Sequence, residues 1–234
     1  MIKKISAAKL FWLILALAAI LRFYKLGEIP LSLDWDENSN AYNAYSIIKT
    51  GRDEYGDFLP ITNRSFDDYK PPAYMYLNIP TVAVFGLTPF AARLPSAIFG
   101  FLTVPVIYFL AKKLFEKSNE ELKIKNFKLK IPEIAMLFLA ISPWHLQFSR
   151  VGFEATVGLF FAAAAVAAFL YGLESKKWLI VSAVAIGLST YTYHTERIFV
   201  PLIFLAAIIL YRQELAKIGK KYLAAAALVS VLIA

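Results

Sequence analysis

Residues 71–90, PPAYMYLNIPTVAVFGLTPF, are apolar enough to cross a membrane, and whether they cross decides the arrangement of the whole chain. Asn78, Pro80, Gly86 and Pro89 interrupt the run. The next apolar stretch, 91–111, leads into KKLFEKSNEELKIKNFKLK, which holds seven lysines within 112–130. Lysine-rich loops are retained on the cytoplasmic side of membranes. A crossing at 71–90 would turn that loop outward, so 71–90 is read as a re-entrant or interfacial helix on the outer side.

Hydrophobic residues make up 59% of the 234-residue sequence, above the share in ordinary soluble domains. Runs of helical length recur at 10–21, 91–111, 131–148, 155–171, 178–193 and 199–211, with a further one from 222. The predicted fold is an all-α integral membrane bundle of about seven spans with a large outer first loop carrying interfacial helices. Lys3 and Lys4 hold the N-terminus in the cytoplasm, and LRFYKLGE after the first run lacks the small residues of a cleavage site. Arg22 is expected to snorkel to the outer interface beside Phe23 and Tyr24. The Ala-rich stretch 162–168 reads as a helix-packing face. The net charge of +8 falls in loops between apolar runs, which is no nucleic-acid stripe. With no cysteine, thiol chemistry, disulfides and Cys-ligated metals are excluded, and two distant histidines argue against a His-rich metal site. No cofactor is indicated; a divalent ion is left open.

Between the first two apolar regions lies an acidic segment, 28–70, with nine of the 17 acidic residues and four basic ones. Its motifs are DWDEN at 34–38 and DDYKPP at 67–72. Asp36 is read as the N-cap of a short helix ending before Gly51, with Ala41, Ala44, Tyr45 and Ile48 forming a face on the membrane surface. The predicted topology brings Asp36, Glu37 and Lys70 to the outer mouth. Arg150 and Glu154 of SRVGFEA and His194, Glu196 and Arg197 of YTYHTERIF join them there. Ionisable residues at membrane depth mark function by default. The plain alternatives are that Asp36 only caps a helix and that the others are solvated turn residues.

WDEN, DDYKPPAYMYL, AARLPSAIFGFLTVPVIYFLAKKLF, SPWHLQFSRVGFEA and LSTYTYHTERIFVPL, in this order and spacing, resemble glycosyltransferase family 39. That family is polytopic, of the C-type fold, and includes dolichyl-phosphate-mannose protein mannosyltransferases and bacterial lipid A aminoarabinose transferases. The resemblance implies transfer of a sugar, with inversion, from a polyprenyl-phosphate donor to an acceptor at the extracytoplasmic face. Asp36 then matches the essential first-loop Asp, with Glu37 beside it, and Glu154 falls near the second-loop acid. Lys70 matches the lysine of the bacterial EKPP pattern, which contacts donor phosphate; the mannosyltransferases have His-Pro-Pro. Asp68 stands two residues before Lys70, with Tyr69 between, where the bacterial pattern has Glu immediately before it.

The chemistry suits these residue types. A sugar phosphodiester has a good leaving group whose charge needs stabilising, a task for Lys70, Arg150 and Arg197, with His194 nearby. The acceptor needs a base, for which Asp36 is the first choice. The sequence leaves the sugar and the acceptor (protein, lipid or glycan) open. A transporter or flippase of lipid-linked sugars is the rival reading, and a non-catalytic scaffold leaves the charge cluster unexplained. The last run, 222–234, has 13 residues, so the chain is read as the N-terminal part of a single longer transmembrane domain.

Overall fold

A computed structural model describes residues 6–66, 68–116, 121–124 and 127–233, without the side chains of 121–129. Lys3, Lys4 and much of the lysine-rich stretch lie outside the described residues. In chain order the elements are α1 (Ala7–Phe23), α2 (Trp35–Thr50), β1 (Asn63–Ser65), β2 (Asp68–Lys70), α3 (Ala73–Phe85), α4 (Pro89–Leu114), β3 (Glu121–Ile124) and β4 (Phe127–Lys130). There follow α5 (Ile131–Ile141), α6 (Pro143–Arg150), α7 (Glu154–Gly172), α8 (Lys177–Ser189), α9 (Glu196–Leu210), α10 (Arg212–Ala216) and α11 (Lys220–Ile233).

The seven-span, all-α bundle expected from the sequence does not hold. Among the described residues only α4, with 26 residues, and α7, with 19, are long and apolar enough to cross a membrane. The other apolar runs are cut short by their own sequence. Pro143 breaks 131–148 into α5, of 11 residues, and α6, of eight. The run 178–193 yields 13 residues of α8, and α1 reaches 17. Helices of 11 to 17 residues extend roughly 17–26 Å, short of a hydrocarbon layer of about 30 Å. Two antiparallel hairpins, β1–β2 and β3–β4, also interrupt the helical pattern.

The helices pack around three apolar cores. Ile14, Ala18, Val104, Met136 and Ala140 join α1, α4 and α5. Ala41, Ala44, Val82, Ala91 and Ala92 join α2, α3 and α4. Phe169, Leu170, Leu179, Leu215 and Ile218 join α7, α8 and the α10 region. The Ala-rich face of α7 is buried at Ala162, Ala163, Ala165, Ala167 and Ala168, and Ser182 of α8 donates to the Ala165 carbonyl at 2.8 Å. Small residues there let the helix backbones approach closely.

The interior is also unusually polar. Arg22 does not snorkel: it is wholly buried, donating to the Ala18 and Ala140 carbonyls and to Leu139, each at 3.2 Å. Pro143 cannot supply an N–H to Leu139, whose carbonyl accepts from the Ser142 N–H at 3.4 Å instead, and the guanidinium adds a donor to it and to Ala140. Its Nη2 also donates to His145 Nδ1 at 2.8 Å. A guanidinium can only donate, so Nδ1 is an acceptor and the ring is neutral. Burial and the Arg22 charge push the His145 pKa down from its usual 6.5 to about 4. An unfolded chain therefore binds a proton that the folded one refuses between pH 6.5 and 4. His145 accordingly contributes stability above pH 6.5 that is lost as pH falls toward 4. Thermal midpoints measured across this window should fall more steeply for the native chain than for His145→Gln, whose side-chain oxygen can still accept from Arg22. Equal slopes would exclude the histidine as the cause.

Candidate active site

The site is assembled on the first turn of α2. The N-cap is Asp34 rather than Asp36, and Glu37 reaches back to accept from the Asp34 backbone N–H at 2.8 Å. That is the reciprocal half of a capping box. Asp36 is left uncommitted to the cap, one residue inside the helix start. At the other end Gly51 adopts the left-handed conformation, φ 72°, that closes helices. The face expected to lie on a membrane surface divides. Ala41 and Ala44 turn inward, while Tyr45 and Ile48 are each 38% exposed.

The β1–β2 hairpin packs against this helix. Its register pairs Asn63 with Lys70. Asp36 and Asn40 are four residues apart and share one face of α2. Lys70 forms an ion pair with Asp36, while Asn63 donates to Asn40 Oδ1 at 2.8 Å. Asp68 approaches Lys70 from the other side at 3.9 Å. From across the fold Glu154, the first residue of α7, accepts from Asn40 Nδ2 at 2.9 Å.

Asp36, Asp68, Lys70, Glu154 and His194 line one cleft of about 400 Å³. Its walls include Phe148, Phe153 and Tyr193. The Lys70 side chain is 12% exposed and that of Asp36 29%. Tyr69 joins through its backbone, whose carbonyl lies 2.8 Å from His194 Nε2. The cleft thus offers one ammonium between carboxylates, aromatic walls and a histidine. It can hold an anionic group on Lys70 and a ring against the aromatic walls. Among the described residues no three His, Asp or Glu side chains form a metal-ligating set.

Four residues expected at the mouth lie elsewhere, among them Glu196, which is buried at the start of α9. Glu37 is 1% exposed; its Oε1 accepts from Arg93 Nε and from the Gly152 N–H, both at 2.8 Å. Arg150 donates to the carbonyls of Leu21 at 2.8 Å and Ile29 at 3.0 Å, clamping the end of α1. Arg197 donates to the Thr190 carbonyl at 3.1 Å and is exposed.

Arg93, Asn40, Phe148, Phe153 and Tyr193 carry the geometry without having been singled out from the sequence. Arg93 is wholly buried and also donates to the carbonyls of Leu26, Pro30 and Ser32 at 3.1, 2.8 and 2.8 Å. A lone arginine inside the apolar run 91–111 was the available signal. For Asn40 the signal was its helical spacing from Asp36. Gly152 lets the 151–153 turn close on Glu37, because a Cβ there would stand 3.0 Å from the Ala92 carbonyl and 3.1 Å from Glu37 Cγ.

The sequence profile of a family described as dolichyl-phosphate-mannose-protein mannosyltransferase matches residues 69–234, well over half of the chain. The chain belongs to that family. Its cleft lies partly inside the matched region, with Lys70, Glu154 and His194, while Asp36 precedes it. Two crystal structures of ArnT from Cupriavidus metallidurans cover 97% of this family member at 18% identity. The apo form has a TM-score of 0.71 and the form bound to undecaprenyl phosphate 0.69. At that identity the likeness establishes the fold. An uncharacterized protein of Aquifex aeolicus (strain VF5) is 30% identical over 130 residues, half of this chain. The mannosyltransferase-family chain spans 41% and 40% of the two ArnT chains and 30% of the Aquifex protein.

Proposed function

We propose that this chain forms the catalytic part of a membrane-associated glycosyltransferase that takes a sugar from a polyprenyl-phosphate donor and delivers it to an acceptor at the extracytoplasmic face. The observation that carries the reading is the Lys70 ammonium held between Asp36 and Asp68 in a cleft that Glu154 and His194 complete. Family membership and the fold shared with an ArnT structure bound to undecaprenyl phosphate support the donor class.

In this reading the donor phosphate competes with Asp36 for Lys70. Binding therefore loosens the Asp36–Lys70 pair and leaves a carboxylate free beside the sugar. Asp36 accepts the proton of the acceptor hydroxyl or amine as that atom bonds to the anomeric carbon. The bond from the anomeric carbon to the phosphate oxygen breaks on the opposite side, which inverts the configuration. The electron pair leaves with the polyprenyl phosphate, whose added charge Lys70 stabilises. Glu154 orients the sugar or acceptor from the facing wall, with Tyr193 and Phe153 covering the ring. Glu37 acts on the site from beneath by fixing the first turn of α2. Arg150 and Arg197 serve as helix clamps, which leaves Lys70 as the principal cation for the phosphate.

A transport site would be expected midway along the helices. Glu154 is instead the first residue of α7, and Lys70 ends a hairpin. The test is Lys70→Met with a polyprenyl phosphate such as undecaprenyl phosphate as ligand. Binding should weaken at least tenfold, the cost of one hydrogen-bonded charge pair, while Arg150→Gln and Arg197→Gln change it little. Unchanged affinity in Lys70→Met would remove the phosphate from this cleft.

A further inference from the structure

Glu154 is reached from inside the protein by an unbroken line of side-chain amides. Asn40, Asn43 and Asn63 are each at most 1% exposed, and none takes part in the transfer chemistry. The line begins at the Glu54 backbone N–H, which donates to Asn43 Oδ1 at 2.9 Å. Asn43 Nδ2 donates to Asn63 Oδ1 at 3.3 Å, sharing its two hydrogens with Glu54 Oε1 at 2.9 Å and the Ser39 carbonyl at 3.1 Å. Asn63 Nδ2 donates to Asn40 Oδ1 at 2.8 Å, and Asn40 Nδ2 donates to Glu154 Oε1 at 2.9 Å.

An isolated asparagine can turn its amide over at little cost, but this line cannot reverse. A backbone N–H only donates, so Asn43 must present its oxygen to Glu54 and its nitrogen to Asn63. The same choice is then forced on Asn63 and on Asn40. Every link aims an N–H toward Glu154, and the aligned amide dipoles reinforce one another in a low-dielectric interior. Burying three primary amides is costly unless each is satisfied in this way.

We propose that Asn40, Asn63 and Asn43 are positioning residues, an oriented amide relay that holds Glu154 in the cleft as a hydrogen-bond acceptor. That Glu154 serves glycosyl transfer rests on the function proposed above; that the relay holds it does not. The hairpin register gives the device its economy, since Asn63 of the relay and Lys70 of the cleft are cross-strand partners. The charged groups facing Glu154 from other elements are Asp36 of α2 and Lys70 of β2, with Asp68 and His194 also lining the cleft.

Dicyclohexylcarbodiimide attacks carboxyl groups in their protonated form, so a carboxylate deprived of a donated N–H reacts faster. Its modification of Glu154 can be followed by mass spectrometry on the purified full chain at neutral pH, with no donor or acceptor present. Asn40→Ala should raise the rate about tenfold or more, as expected for losing one hydrogen bond to a charged group. Asn63→Ala should raise it several-fold although residue 63 does not touch Glu154. Asn38→Ala, on the same helix but outside the relay, should leave it unchanged. If Asn63→Ala lowers the thermal midpoint without changing the rate at Glu154, the amides are structural only and the proposal fails. It also fails if Asn40→Ala reacts at the native rate. Should Asn63→Ala not fold, Asn63→Ser keeps a donor and an acceptor and must give a rate between native and Asn40→Ala. A failure of sugar transfer in any assay would leave these rates untouched, so the two readings fall separately.

Discussion

Asp36→Asn is expected to lower turnover by roughly two to four orders of magnitude, the usual contribution of a general base, with thermal stability almost unchanged. Stability is spared because the cap of α2 is made by Asp34 and Glu37, not by Asp36. The amide keeps the shape of the side chain and can still accept from Lys70, so donor binding should persist while the proton acceptor is gone. The measurement is single-turnover transfer from a polyprenyl-phosphate sugar, with donor affinity determined in parallel. An active Asp36→Asn with normal rate would move the base to Glu154 or out of this cleft. Glu37→Gln separates the two adjacent acids. It too should reduce activity, but through a lowered thermal midpoint, because its carboxylate accepts from Arg93 and the Gly152 N–H.

The second large effect is on folding. Arg93→Ala leaves Glu37 buried at 1% exposure without its ion-pair partner and strips three loop carbonyls of their donor. Removing one member of a buried pair costs about 3–5 kcal/mol. In a chain of this size each kcal/mol shifts the midpoint by roughly 2–4 °C. Thermal unfolding of Arg93→Ala should therefore show a drop on the order of 10 °C. Arg93→Lys should fall between, since one ammonium cannot reach all the oxygens the planar guanidinium serves. A drop of under two degrees in Arg93→Ala would mean that water replaces the guanidinium and that the pair is not what fixes α2.

Helix α2 was legible in the sequence because its signals are local: small apolar residues at three- and four-residue steps and a glycine where the chain turns left-handed. The long apolar runs that became α4 and α7 were legible for the same reason. The span count was not, because hydropathy averages over a break that one proline makes. Pro143 splits a run whose composition reads as a span, and Arg22 turns inward to the carbonyls at the end of α5. For the site, Asp36, Lys70, Glu154 and His194 carried signals of charge and place. Arg150 and Arg197 carried the same signals but were claimed by helix-end carbonyls. The carbonyls Arg150 finds lie more than 100 residues away, and the one Arg197 finds is set by the turn after α8, so no local charge pattern records either. Arg93 is the converse case, a residue whose meaning lies entirely in partners from 26–37.

Glu37 has a consequence for the order in which the molecule can be made. Its two most distant partners lie 56 and 115 residues later in the chain. At roughly 5–20 residues per second, the wait from Glu37 to Gly152 is about 6–23 s. Until Arg93 arrives the carboxylate cannot be buried without leaving it unpaired, so α2 has reason to stay in contact with water. The first turn of α2 gains its last partner only with the turn before α7, and the cleft beside it is complete only once His194 follows.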